Sequence, residues 1–204
     1  MVGAFAAWLL ASGIALAAIS DYASTPGAAA RAPASWPAES RIARTPGRGT
    51  IVMVAHIRCA CTRASLHELE RVMARAGERA EAFVVFVGPP GIELLDLRSI
   101  ARSIPHVTLI EDEREARRFG AVTSGQVVAY DAAGELVFRG GITPARGHEG
   151  DSAGNEMVRR FVTTGHARSA AASRTSASDV FGCALFDNHV TPAGADTSDE
   201  KKEP

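Results

Sequence analysis

A chain of 204 residues, 46% hydrophobic and 22% charged, has the apolar content for one buried core with extensions at its ends. A formal net charge of −1 offers no polyanion-binding surface, so nucleic acid is not an expected partner, and 6% aromatic residues give little stacking surface. Three cysteines are too few for a disulfide scaffold and lack the spacing of a four-cysteine zinc ribbon.

The chain opens with an uncharged stretch from Val2 to Ile19, near the lower length limit for a membrane-spanning helix. Residues 1–20 are therefore read as a membrane anchor or a signal segment. Ala15-Leu16-Ala17 satisfies the small-x-small cleavage rule, but no Lys or Arg precedes the apolar run. Arg31 is the nearest basic residue beyond it and, taken literally, would keep the following domain in the cytoplasm. The thiol chemistry argued below favours export. Residues 21–48 are rich in Ala, Pro, Ser, Thr and Gly without a sustained period, and read as a flexible linker. Abundant Ala and a large excess of Arg over Lys suit a GC-rich bacterial source.

A domain is expected over residues 49–166. Ile51 to Ala55 reads as a strand buried on both faces, and His56 to Arg58 as a turn. Leu66, Leu69, Val72 and Met73 make the apolar face of a helix from Thr62 to Arg75, with Arg63, His67, Glu68, Glu70 and Arg71 elsewhere on the wheel. Ala82 to Val87 is a strand stopped by Gly88-Pro89-Pro90-Gly91. A helix from Ile92 to Ser103, a strand from Val107 to Ile110 and a charged helix from Glu111 to Phe119 follow. Gln126 to Tyr130 and Glu135 to Arg139 form a hairpin around Asp131-Ala132-Ala133-Gly134, and Asn155 to Thr164 is the last helix. Early β-α alternation implies parallel strands with helices on both faces, and the late hairpin adds antiparallel ones. Residues 167–204 read as an irregular tail with one apolar island, residues 180–186, that contains Cys183.

The chemistry concentrates at Cys59-Ala60-Cys61, where a strand turns into a helix. The helix N-terminus, Arg58 and Arg63 favour a thiolate on Cys59, with His56 adding charge when protonated. Cys61 is close enough to resolve a mixed disulfide, and a disulfide across one residue closes a strained, easily reduced ring. The same side chains suit a soft metal: Cys59, Cys61 and His56, with Cys183 as a third sulfur, could hold copper or zinc. Cys183 either docks its island on the domain and brings a third thiol to the pair, or belongs to a tail that packs elsewhere. His148 sits with Arg146, Glu149 and Asp151 in a Gly-rich stretch that reads as a solvated loop, and His67 as exposed on its helix. Glu111-Asp112-Glu113 is a favourable acidic helix start.

A strand followed by two close cysteines opening a helix resembles the thioredoxin-like superfamily, over about Gly49 to Gly165. More narrowly, His56-x-x-Cys59-x-Cys61-Thr62-Arg63-Ala64-Ser65, Gly140-Gly141-Ile142-Thr143, Arg146-Gly147-His148-x-Gly150-Asp151 and Phe181-Gly182-Cys183 are similar to bacterial thioredoxin-domain proteins of the RedB type. The resemblance implies a three-layer α/β sandwich with a mixed central sheet, preceded by the N-terminal hydrophobic helix. It also implies a site at Cys59 and Cys61 faced by the segment Thr123-Ser124-Gly125. Two departures stand out. The spacing is Cys-x-Cys rather than Cys-x-x-Cys, and Gly125 occupies the place of the family's cis-proline. Some thioredoxin-like proteins handle copper with paired cysteines and a distant histidine, for which His106 or His148 are candidates here.

The expected function is a thiol–disulfide oxidoreductase, tethered in the bacterial inner membrane through residues 2–19 or released to the periplasm if the segment is cleaved. Its expected partner is a protein dithiol or disulfide, and no cofactor is required. The alternatives are a copper- or zinc-binding accessory protein using the same cysteines, and a thioredoxin-like domain with one inert disulfide.

Overall fold

The computed structural model describes residues 2–88, 95–164 and 175–186. The turn expected at residues 89–91, the first residues of the helix expected at 92–103, and His166 and His189 lie outside the described residues.

Helix α1 (Val2–Ser24) extends past the apolar run, and none of its residues is buried. It is long and apolar enough to cross a membrane. The domain proper begins with β1 (Gly49–His56), followed by α2 (Thr62–Met73), a single 3-10 turn, β2 (Ala80–Val87) and α3 (Leu95–Ser103). Then come β3 (Val107–Ile110), α4 (Glu113–Arg118), β4 (Gln126–Tyr130), β5 (Leu136–Gly140), α5 (Ala153–Thr164) and β6 (Ser176–Ala177).

The strands form one mixed sheet in the order β3-β2-β1-β4-β5-β6. β1, β2 and β3 run parallel, whereas β4 lies antiparallel to both β1 and β5. The strand alternation of side chains divides the interior in two. Ile51, Met53 and Ala55 of β1 face Leu66, Leu69 and Val72 of α2 and Val158 and Phe161 of α5. Val52 and Val54 face the other way, with Val85, Phe119, Tyr130 and Leu185. The architecture is the thioredoxin-like α/β sandwich that the element order implies. β1 sits near its centre, so its C-terminal end carries the cysteine turn on a strand buried at every residue but its last.

Three local expectations change. Residues 25–48 do not form a free linker. Trp36 packs edge-on against Phe119 and Tyr130, with ring centroids 4.9 and 5.2 Å away, and Ile42 is buried in the same cluster. The Tyr130 hydroxyl donates to the Pro33 carbonyl at 3.1 Å, and the Leu136 N–H donates to the Ala34 carbonyl at 2.8 Å. Composition alone hid this because a few apolar side chains, set among small polar ones, suffice to cover one sheet face. The tail adds a sixth strand, β6, parallel to β5.

Glu68, placed on the polar part of its helix wheel, is in fact 2% exposed. It accepts from the Gly150 N–H at 2.6 Å, from Asn155 Nδ2 at 2.8 Å and from Arg71. A carboxylate is tolerated there because donors surround it. The acidic start of α4 behaves as expected: Asp112 caps it, accepting from the Arg114 N–H at 2.9 Å.

Candidate redox site

Three stretches of chain and one loop build the site. The first is the turn after β1. The Cys59 N–H donates to the His56 carbonyl at 3.1 Å, and the Thr62 and Ser65 N–H groups donate to the Cys59 and Cys61 carbonyls at 3.0 and 3.1 Å. The Thr62 hydroxyl donates to the His56 carbonyl at 2.8 Å. Cys61 is the N-cap of α2 and makes no side-chain cap bond, so Cys59 lies in the turn ahead of the helix rather than in its first turn. His56 Nδ1 accepts from the Arg58 N–H at 3.1 Å. That nitrogen is therefore committed to the turn.

The second stretch is the approach to β4. Ser124 Oγ accepts from the His56 N–H at 2.9 Å and lies 3.3 Å from the Thr62 hydroxyl. The Gly125 N–H donates to the Val54 carbonyl at 2.8 Å. Gly125 has φ +85°, which a side chain would strain, and a Cβ there would stand 2.8 Å from Ser65 Oγ. The left-handed backbone here thus favours glycine at the position where the resemblance expected a proline.

The third stretch is the tail. The Ser124 N–H donates to the Cys183 carbonyl at 2.8 Å, and the Leu185 N–H donates to the Val122 carbonyl at 3.0 Å. Thr123 and Ala184 form an antiparallel bridge between them. Val180 and Leu185 are buried on either side. Gly182 lies so close to the loop that a Cβ would fall 1.9 Å from the Ser124 carbonyl oxygen. This docking closes a sequence gap of 124 residues and brings Cys183 Sγ to 3.0 Å from Cys59 Sγ. Of the two placements open for Cys183, the structure shows the one beside the pair.

The fourth wall is the loop after β5, read from sequence as solvated. His148 is exposed, with Nδ1 2.7 Å from the Arg146 carbonyl. The loop itself is pinned, through Glu68 and through Glu149, which lies 2.6 Å from His67 Nδ1. Its Gly147 N–H reaches the Cys61 sulfur. Arg146 is the residue to which sequence reasoning gave no role of its own. Its guanidinium donates to the Gly182 carbonyl and, at 3.1 Å, to the Tyr22 carbonyl, and it lies 4.9 Å from the centre of the Tyr22 ring. Its backbone N–H donates to the Ala23 carbonyl at 2.9 Å. One side chain thus joins the end of α1 to the residue preceding Cys183. No periodicity or spacing in the sequence points to it.

The three thiols are not equivalent. The thiol of Cys61 donates to Cys59, and this bond outweighs the opposing effect of burial. With a further bond from Cys183 it brings Cys59 down to about 4. The lowering comes first from the neighbouring thiols and then from the backbone N–H groups of Cys183 and Cys61, the latter at the start of α2, and not from the arginines that the sequence suggested. Arg63 is instead paired with Asp96. Cys61 is pushed far up, first by its bond to Cys59, then by burial and the Cys59 charge. Burial, followed by the bond to Cys59, raises Cys183 to about 11, with Arg146 opposing. Cys59 and Cys61 are 3% and 7% exposed, and Cys183 is partly exposed. A cavity of about 350 Å³, lined by Arg58, Arg63, Asp96 and Leu97, borders Cys59.

Neither of the candidate distant histidines joins the thiols. His106 stands beside Glu78 at 3.9 Å, near the start of β2, whereas the cysteine turn meets the end of that strand, where the Ile57 N–H donates to the Val87 carbonyl at 3.0 Å. Among the described residues, no group of three or more His, Cys, Asp or Glu side chains is arranged to hold a metal ion.

No family model matches the sequence, and the curated proteins give no match. Similarity appears at the level of structure. An uncharacterized conserved protein from Geobacillus kaustophilus matches with a TM-score of 0.53 at 15% identity, over 79% of this chain and 92% of that one. A hypothetical protein from Sinorhizobium meliloti 1021 matches with a TM-score of 0.53 at 16% identity, over 79% and 93%. The thioredoxin domain of a thiol-disulfide oxidoreductase from Bacteroides vulgatus matches with a TM-score of 0.40 at 12% identity, over 69% and 96%. The first two share this chain's overall fold.

Proposed function

We propose that the protein is a thiol–disulfide oxidoreductase of the RedB type that acts on protein dithiols or disulfides, with Cys59 as its reactive sulfur. The observation that carries this reading is the asymmetry among three adjoining thiols. Hydrogen bonding with the other two holds one sulfur, Cys59, well below its ordinary value, and Cys183 Sγ stands 3.0 Å from it, within reach of a disulfide. A purely structural pair would have no use for a thiolate. Cys61, the immediate neighbour, hydrogen-bonds the Cys59 sulfur and favours its thiolate form. His56, Thr62 and Ser124 fix the turn, and Gly125 leaves room for it.

The second part of the proposal is location. α1 anchors the protein in the bacterial inner membrane with the domain in the periplasm, where disulfides persist. Through Arg146, Tyr22 and Ala23, the end of that helix is tied to the loop beside the thiols, which supports a site held close to the bilayer surface. Cleavage after Ala17 would release the same domain into the periplasm.

The test uses the full chain in detergent. Equilibrated in glutathione buffers and then alkylated, the wild type forms one intramolecular disulfide, and Cys59→Ser forms none that exchanges at a comparable rate. A protein that stays fully reduced, or whose disulfide resists reduction below about −300 mV, refutes exchange as its function. Titration with copper(I) against a competing chelator tests the copper reading. Tight stoichiometric binding lost in Cys59→Ser would put metal handling first.

A further inference from the structure

The nucleophile identified above is not the sulfur that an outside partner meets first. Cys59 and Cys61 are almost entirely enclosed, and the docked tail closes them in. Cys183 is the one thiol of the three with appreciable exposure, and it stands 3.0 Å from Cys59. Accepting that the protein is a thiol–disulfide oxidoreductase, we infer that Cys183 is its partner-facing sulfur, through which redox equivalents pass between protein dithiols outside and the enclosed Cys59.

The step balances as follows. In the oxidised protein, Cys59 and Cys183 share a disulfide. A thiolate of the partner dithiol attacks Cys183 Sγ, the exposed end. The bond between Cys59 and Cys183 breaks, and Cys59 leaves with the electron pair as a thiolate. A mixed disulfide now joins Cys183 to the partner. The partner's second thiol loses its proton to solvent and attacks the partner's own sulfur in that bond. The partner's disulfide forms, and Cys183 departs and takes up a proton. The partner dithiol is oxidised, and the Cys59/Cys183 pair is reduced.

Three features favour attack at this end. Cys59 is the better leaving group, because the Cys61 thiol beside it hydrogen-bonds the place where its negative charge appears. Arg146 sets positive charge beside Cys183, where an incoming thiolate must arrive. The backbone around Cys183 is fixed by its pairing with residues 122–124 and by the close contact of Gly182, so the exposed sulfur is held in position rather than carried on a loose end.

The sequence itself supplies the assay, because Arg58, Arg63, Arg174 and Lys201 place the two sites in separate tryptic peptides, Cys59 to Arg63 and Thr175 to Lys201. The oxidised full chain in detergent is mixed briefly with reduced glutathione, quenched by alkylation, digested and read by mass spectrometry. The expected result is glutathione on the Cys183 peptide in at least about tenfold excess over the Cys59 peptide. Cys183→Ser is expected to slow exchange with a reduced protein substrate by at least about tenfold. Adducts mainly on the Cys59 peptide, or shared evenly, overturn the inference and leave the oxidoreductase reading standing, with the cavity beside Arg58 and Arg63 as the route of entry. The absence of any exchange with glutathione removes both.

Discussion

Gly182→Ala perturbs the tail without touching a sulfur. A Cβ at this position would fall 1.9 Å from the Ser124 carbonyl oxygen, so the tail must back away from the loop. Two backbone hydrogen bonds, Ser124 to Cys183 and Leu185 to Val122, depend on that approach. At about 1 kcal/mol net for each, their loss weakens docking by about 2 kcal/mol. A weakening of that size lowers the effective concentration of Cys183 at Cys59 by about thirtyfold. The assay is the equilibrium constant for closing the Cys59–Cys183 disulfide against glutathione, measured in a Cys61→Ser background so that only this pair can form. A constant that stays within about twofold of the Gly182 protein would refute the reasoning, since it would mean that the strand-like pairing does not hold Cys183 in place.

Reaction of Cys59 with iodoacetamide should follow a midpoint near 4, and Cys61→Ser should shift that midpoint upward; a wild-type midpoint near the ordinary 9.0 contradicts the hydrogen-bond account. The linked stability has a definite sign: the Cys59 contribution is complete above pH 9 and is lost as pH falls through about 4, whereas that of Cys183 is complete below pH 9 and is lost as pH rises through about 11. Denaturant midpoints across pH, compared between wild type and the Cys59→Ser and Cys183→Ser variants, measure both. Glu68→Ala leaves the Gly150 N–H and the Asn155 amide without their buried acceptor and should destabilise the domain by about 2–3 kcal/mol in urea unfolding, with a loss under about 0.5 kcal/mol counting against the pinned loop. Trp36→Ala removes the ring packed on Phe119 and Tyr130 and should cost about 3 kcal/mol; a neutral outcome in the same assay would return residues 25–48 to the role of a free linker.

The local determinants were visible in the chain itself. β-branched runs ended by Gly, Pro and Asp fixed the strands and the hairpin, and apolar spacing fixed α2 and α5, because these depend on side chains within one or two turns of each other. The cysteine turn was legible for the same reason, and so was the uncharged α1. What needed the tertiary structure was every relation carried by long-range contact. Burial of Glu68 depends on donors from Gly150 and Asn155, and the ordering of residues 25–48 depends on a sheet face that only the finished fold creates. The thiolate was expected on Cys59 from charge and helix position, which are readable in sequence, whereas hydrogen bonding with Cys61 and with a cysteine far down the chain is not. Arg146 stood in a quoted motif without a role, since a guanidinium joins α1 to the tail only once the fold has brought them together. The sequence by itself determined the elements and the pair Cys59 and Cys61. Only the tertiary structure decided that Cys183 is their third partner, because the pairing of residues 183–185 with residues 122–124 is a backbone contact, and backbone contacts leave almost no mark on side-chain pattern.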